Sequence, residues 1–231
     1  FTTGGSADLA VKGAVNLAAL QLLNPDLLAR GNATVAATIR GSIRNPQMNG
    51  RLELTGASLY LNDVPNGMDN ASGVILFDRN RATIERLSAD TGGGTVSLGG
   101  FLEFGEPLLY RLRAEARQVR VRYPEDVSTT FNAELQLNGT SESSTLSGAV
   151  TLNRAAISAG ADMGRVLAAG SQPSVSVDTP NDYLRGIRLD MHVESSPSFE
   201  FETSLTRNVQ AEVDLRLRGT PERPVLSGDI S

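Results

Sequence analysis

The sequence predicts an all-β chain, a long antiparallel sheet of degenerate hairpin repeats, and three observations predict it. Alternation of apolar and polar residues runs through most of the chain. A hairpin-sized segment recurs three times. Helical spacing is confined to residues 17–29, where Pro25 interrupts it, and to residues 161–169; both stretches fall between strands.

The recurring segment is GSIRNPQMNGRLEL at 41–54, which aligns without gaps on GTSESSTLSGAVTL at 139–152 and GTPERPVLSGDI at 219–230. Its frame is Gly, then Ser or Thr, then a polar turn with Pro46 or Pro224. Met48, Leu146 or Leu226 follows, then Gly50, Gly148 or Gly228, then Leu52, Val150 or Ile230. Each copy follows a strictly alternating run: Val35, Ala37, Ile39; Ala133, Leu135, Leu137; Val213, Leu215, Leu217. Alternation on both sides of a short Gly/Pro/Ser/Asn link is a hairpin. The middle copy has Ser144 where the others have proline, which predicts a looser turn there. Glycine on the apolar face, at Gly13, Gly50, Gly100, Gly148 and Gly228, predicts bulges, bends or close backbone approach along one line. Unequal spacing of the copies argues against a propeller.

Taken in order, alternation places strands near 7–17, 32–42, 47–55, 57–62, 70–78, 82–90, 94–104 and 108–117. It places further strands near 119–123, 129–138, 145–153, 174–178, 184–195, 198–206, 209–218 and 224–230. The breaks come from Gly, Pro, Asn and Asp clusters. The chain reads as one continuous segment, 1–231, with possible sub-units at 1–105 and 106–231. With Phe1 in place of an initiator methionine and a last strand that stops in mid-pattern, it reads as an internal piece of a larger protein.

Composition removes several function classes. There is no cysteine, hence no disulfide or thiolate chemistry. A net charge of −5 with a single lysine, Lys12, leaves no electrostatic footprint for nucleic acid. With 7 Phe, 4 Tyr and no Trp, the apolar surface is aliphatic, which counts against a sugar site built on exposed rings. No apolar run reaches the ~20 residues of a membrane helix.

A long run of one-sided strands carries an aliphatic face that must be covered, because exposed apolar area costs ~25 cal/mol per Å². A second sheet, closure into a barrel, or a trough filled by something other than protein would each cover it. Periodicity leaves the three open.

The stretch NASGVILFDRNRATIERLSADTGGGTVSLGGFL (70–102), the segment YLRGIRLDMHVESSPSFEFET (183–203), and GTPERPVLSG following NVQAEVDLRLR resemble the C-terminal β-rich part of the TamB family, within the AsmA-like, bridge-like lipid transfer group. The resemblance covers most of residues 30–231. It implies a curled sheet, a β-taco with a U-shaped hydrophobic groove. It further implies a periplasmic segment of a protein anchored in the inner membrane, moving phospholipid between inner and outer membrane. The partners implied are phospholipid acyl chains, an outer-membrane barrel protein of the TamA/BamA type, and neighbouring repeats of the same chain. An alternative role is a scaffold or chaperone that binds nascent outer-membrane β-barrel proteins through strand edges.

On this reading the groove lining is Val35, Ile39, Leu52, Val96, Leu98, Leu102, Leu135, Leu137, Val150, Leu152, Ile187, Leu189, Phe199, Phe201, Val213, Leu215 and Leu217. The same residues would form the core of an ordinary sandwich. No catalytic residue, metal ligand or cofactor is expected. His192, the single histidine, falls on the polar side of its strand, and the carboxylates, such as Glu53, Glu103, Glu134, Glu212 and Asp214, are scattered outward. Arg113, Arg117, Arg120 and Arg122 belong either to a solvated outer face or to a groove rim that touches anionic headgroups.

Overall fold

The computed structural model describes residues 6–22, 24, 26–42, 45–61, 65–123, 126–157, 186–202 and 212–231. Among these residues, twelve strands follow one another in a single open sheet whose spatial order is the chain order. They are β1 (Ser6–Asn16), β2 (Leu27–Ser42), β3 (Asn45–Leu61), β4 (Met68–Arg79), β5 (Arg81–Thr91) and β6 (Gly94–Glu103). β7 (Leu109–Arg122), β8 (Val127–Thr140), β9 (Ser144–Ile157), β10 (Ile187–Glu202), β11 (Val213–Thr220) and β12 (Arg223–Ile230) complete the sheet. The all-β class holds. The chain divides into two compact units, residues 1–91 with 95–113 and residues 92–94 with 114–231.

Several strands expected as pairs are single strands carrying a bulge. β3 joins 47–55 to 57–62 through a register shift between Leu54 and Ala57. β7 runs through Gln118, which takes a left-handed φ of 53° and donates its N–H to Asn132 Oδ1 at 2.8 Å. β10 carries an excursion between Ser195 and Glu200 that includes Pro197, a residue unable to donate to the ladder. Alternation resumes after each extra residue, so two strands were expected where a bulged one forms.

The helical spacing over 17–29 gives one short helix that ends before Pro25. Only Leu17–Leu22 is helical, as a 3-10 turn, and residues 27–29 begin β2. The β-partner offered by β3 overrides helical propensity there, pairing Leu27 with Leu61 and Ala29 with Leu59. The expected helix over 161–169 and strand over 174–178 lie outside the described residues.

All three repeat copies are hairpins, in the same register. Gly41 faces Pro46, Gly139 faces Ser144 and Gly219 faces Pro224. Four residues further from the turn Ala37 faces Gly50, Leu135 faces Gly148 and Leu215 faces Gly228. At Gly148 φ is 136°, and a Cβ would lie 2.0 Å from the Glu134 carbonyl oxygen, so the partner backbone occupies the space of a side chain. Gly50 and Gly228 repeat this close approach, which is what the glycine line predicted. At Gly13 the same space is open.

The middle turn is not loose, contrary to expectation: Thr140 N–H donates to the Ser143 carbonyl at 2.8 Å. Serine in place of proline supplies a donor. Ser144 N–H bonds the Gly186 carbonyl at 2.9 Å, at the point where β10 joins β9. β9 and β10 pair in parallel, a second correction to the antiparallel expectation. Residues 158–186 between them are long enough for the crossover a parallel pair demands, whereas a short turn would impose an antiparallel one.

Candidate functional site

Side chains of directly paired residues lie on one face of a sheet, so the register shows which residues share a face. In the first unit one row runs Gly13, Val35, Leu52, Ile75 and Ile84 across β1 to β5. The next runs Val11, Ala37, Gly50, Phe77 and Ala82. In the second unit Leu135, Gly148, Met191, Leu217 and Leu226 are successive partners across β8 to β12, and so are Ala133, Val150, Val193, Leu215 and Gly228. No charged side chain interrupts these four rows.

The opposite face is polar. Glu134, Ala149, His192 and Arg216 form one outer row of the second unit. Ion pairs cross this side, with Arg218 3.7 Å from Asp190 and Arg154 2.6 Å from Glu202, and the His192 ring lies 3.4 Å from Glu194. Such exposed pairs contribute little to stability and keep the face wet. Arg113, Arg117, Arg120 and Arg122 occupy exposed positions of β7, where Val119 and Val121 alternate with the last two.

Among the residues predicted from sequence, Val35 pairs with Leu52, Ile39 with Met48, Leu137 with Leu146, Val150 with Val193, and Leu215 with Val193. Leu152 faces Phe131, and Phe201 faces Ala155. Val96, Leu98 and Leu102 alternate along β6, and Val96 packs with Leu52 against the first unit's buried cluster. Leu189, Phe199 and Val213 are buried; the remaining predicted residues, Ile187 and Leu217 among them, are half-buried. Sequence reasoning omitted Ile75, Ile84, Met191 and Val193, which complete the rows; alternation over 70–78 and 187–195 carried that signal.

How the face is covered differs along the first unit. The 3-10 helix lies against it, and Leu17 is buried with Ala29, Ala33, Ala57, Ala71 and Ala89, while Leu20, Leu54 and Leu59 pack on that cluster. In the second unit the described strands present one layer only. Among the described residues of either unit no large side chain is fully buried. An interlocked sandwich of this length would bury many, because side chains of two facing sheets interdigitate.

One polar feature stands apart. The Tyr60 hydroxyl donates to Asp69 across the first unit's β3–β4 connection. The hydrogen bond to Asp69, with desolvation second, raises the Tyr60 pKa, and the hydrogen bonds from Tyr60 and then Ser58 hold the Asp69 carboxyl below its usual value. The pair links β3 to β4, and neither residue belongs to the four aliphatic rows.

Fold and site together define a class: an open β-sheet protein in which each unit carries uncharged aliphatic rows, with charged and polar rows on the opposite face of the second. Residues 85–231, more than half of the chain, match the TamB C-terminal domain, and the chain belongs to the TamB family. This family is part of the translocation and assembly module of the bacterial envelope, which serves outer-membrane biogenesis with a TamA-type partner. No curated protein and no solved structure matches the chain. No helix among the described residues is long and apolar enough to cross a membrane.

Proposed function

We propose that the aliphatic face carries phospholipid acyl chains between the inner and outer membranes, as a periplasmic segment without catalytic chemistry. One observation supports this above the others: in the second unit, uncharged rows run without a break from β8 to β12, mostly half-exposed and under no second described layer. Acyl chains suit such a surface, since each buried CH₂ is worth about 0.8 kcal/mol and no polar contact is needed. The rows cross strands at about 4.8 Å per step, so a bound chain meets equivalent aliphatic surface at every strand. Sliding from one strand to the next then exchanges like contacts for like. The headgroup stays in water.

A photo-reactive phenylalanine at position 215 tests the reading in the intact protein. Lipid adducts at 215, with none at the outer position 216, are the expected result. Adducts with unfolded barrel proteins in place of lipid would transfer support to the strand-edge scaffold role, and equal lipid labelling at 215 and 216 would remove the groove.

A further inference from the structure

We propose that the 3-10 helix Leu17–Leu22 is a plug, filling with its own leucine a section of the first unit's apolar face that an acyl chain would otherwise occupy; this rests on the lipid reading above. The floor beneath the helix differs from the row beside it. Ala29, Ala33, Ala57, Ala71 and Ala89 are all at most 6% exposed, whereas Val35, Leu52 and Ile75, one row away, are bulky and half-exposed. Five alanines on neighbouring strands deepen the face where the helix sits. Depth of that kind fits a seat.

The helix is held as a movable part would be. Its two ends are defined by local bonds: Ala18 N–H to Asn16 Oδ1 at 2.9 Å, Asn24 N–H to the Leu20 carbonyl at 3.1 Å, and Leu27 N–H to the Asn24 carbonyl at 3.1 Å. These bonds can travel with the segment, because every partner lies within it or at its two margins. Against the floor it buries Leu17 alone; Leu20 is half-buried, Ala18 and Ala19 are exposed, and Leu22 is 87% exposed. One buried leucine favours the closed position by a factor on the order of 10 to 100. That is enough to exclude casual entry and small enough for an incoming acyl chain, which buries the same floor, to offset. The helix LAALQL has no charge, so lifting it into an apolar setting carries no ionic desolvation penalty.

The chain has no cysteine, so single cysteines report cleanly. Ala33→Cys under the plug and Leu215→Cys on the uncovered face are each reacted, in the intact protein, with a long-chain alkyl maleimide presented in phosphatidylcholine vesicles, and separately with N-ethylmaleimide. The expected rate at Ala33→Cys is at least ~10-fold below that at Leu215→Cys with both reagents. Adding Leu17→Asp should raise the Ala33→Cys rates at least ~10-fold and leave Leu215→Cys unchanged, with Leu17→Ala intermediate and Leu17→Met protected. Unchanged far-UV circular dichroism checks that Leu17→Asp still folds; should it not, the Leu17→Ala and Leu17→Met pair carries the same comparison. Equal parent rates at the two cysteines, or no rise when Leu17 is replaced, would overturn the plug. Failure of the lipid reading looks different: Leu215→Cys would react with N-ethylmaleimide but not with the alkyl reagent, while N-ethylmaleimide at Ala33→Cys would still report the plug.

Discussion

A methyl group added at Gly100 should cost the fold far more than one added at Gly99, its neighbour. At Gly100 φ is 124°, and a Cβ would lie 2.2 Å from the Arg111 carbonyl oxygen and 2.9 Å from Leu112 Cα, both backbone atoms. Neither can rotate away, so β6 and β7 must part by roughly 1 Å, enough to break about two ladder hydrogen bonds at ~1 kcal/mol each. A left-handed conformation adds about 1–2 kcal/mol for an L-residue, and reduced freedom of the unfolded chain returns ~0.4–1 kcal/mol. The net for Gly100→Ala is about 3 kcal/mol, a fall in Tm of roughly 6–12 °C for a chain of this length. At Gly99 the nearest atom to a Cβ is the Ile84 carbonyl oxygen at 3.7 Å, an ordinary contact, and φ is not left-handed. Gly99→Ala should therefore stabilise by about 0.5 kcal/mol. Thermal and urea unfolding followed by far-UV circular dichroism measure both. Shifts of the same sign and size at the two positions would refute the claim that the facing backbone, and not strand propensity, requires glycine at 100.

Three further outcomes follow from the same geometry. Leu137→Glu, on an aliphatic row, should reduce lipid transfer by at least ~10-fold, while Gln136→Glu on the outer face of the same strand should leave it within about twofold, as measured with fluorescent phospholipid in the intact protein. Ser144→Pro should remove the N–H bonded to the Gly186 carbonyl and speed hydrogen exchange at the start of β10 while sparing β8; Ser144→Ala should be neutral or stabilising by up to ~1 kcal/mol, because the buried Ser144 hydroxyl has no hydrogen-bond partner among the described residues. For Tyr60→Phe, Asp69 sets the sign: its depressed pKa contributes stability that is present above the unfolded value of 3.8 and lost as pH falls through the lower folded value. Removing the donor should raise the folded Asp69 pKa toward 3.8, so that this acid-dependent loss of stability shrinks and the carboxyl titration of Asp69 by NMR moves to higher pH; the raised Tyr60 pKa contributes at pH below 10 and fades as pH rises through the folded value.

The hairpins were legible in the sequence because a two-residue period states the face directly, and the turn frame around Gly41, Gly139 and Gly219 states where the strand reverses. The glycine line was legible for the same reason, since glycine at an apolar position has few explanations. The parallel β9–β10 pair was not. Alternation is identical in parallel and antiparallel strands, and only Ser144 in the place of Pro46 and Pro224 hinted that this strand needed an extra donor. Bulges hid as breaks at Gly56, Gln118 and Pro197, because one extra residue inverts the alternation just as a loop does. Leu17 to Leu22 read as part of a longer helix: helical spacing shows which side chains share a stripe, and says nothing of whether the following leucines, 27 and 28, will be claimed by a neighbouring strand.

The absence of a fully buried large side chain among the described residues bears on stability as well as on the proposed lipid cargo. In a globular domain such anchors tie distant parts of the chain together, and loss of one is felt throughout. Here each described strand pairs with its sequence neighbours, so its stability is a sum of nearest-neighbour ladders, as in solenoid repeats. An aliphatic face that need not hold the fold together is free to exchange its occupant. Substitutions on the rows, such as Leu215→Ala, should therefore cost less than the ~2–5 kcal/mol of a core leucine, and unfolding measurements that find the full core penalty would show that protein, not lipid, fills that face.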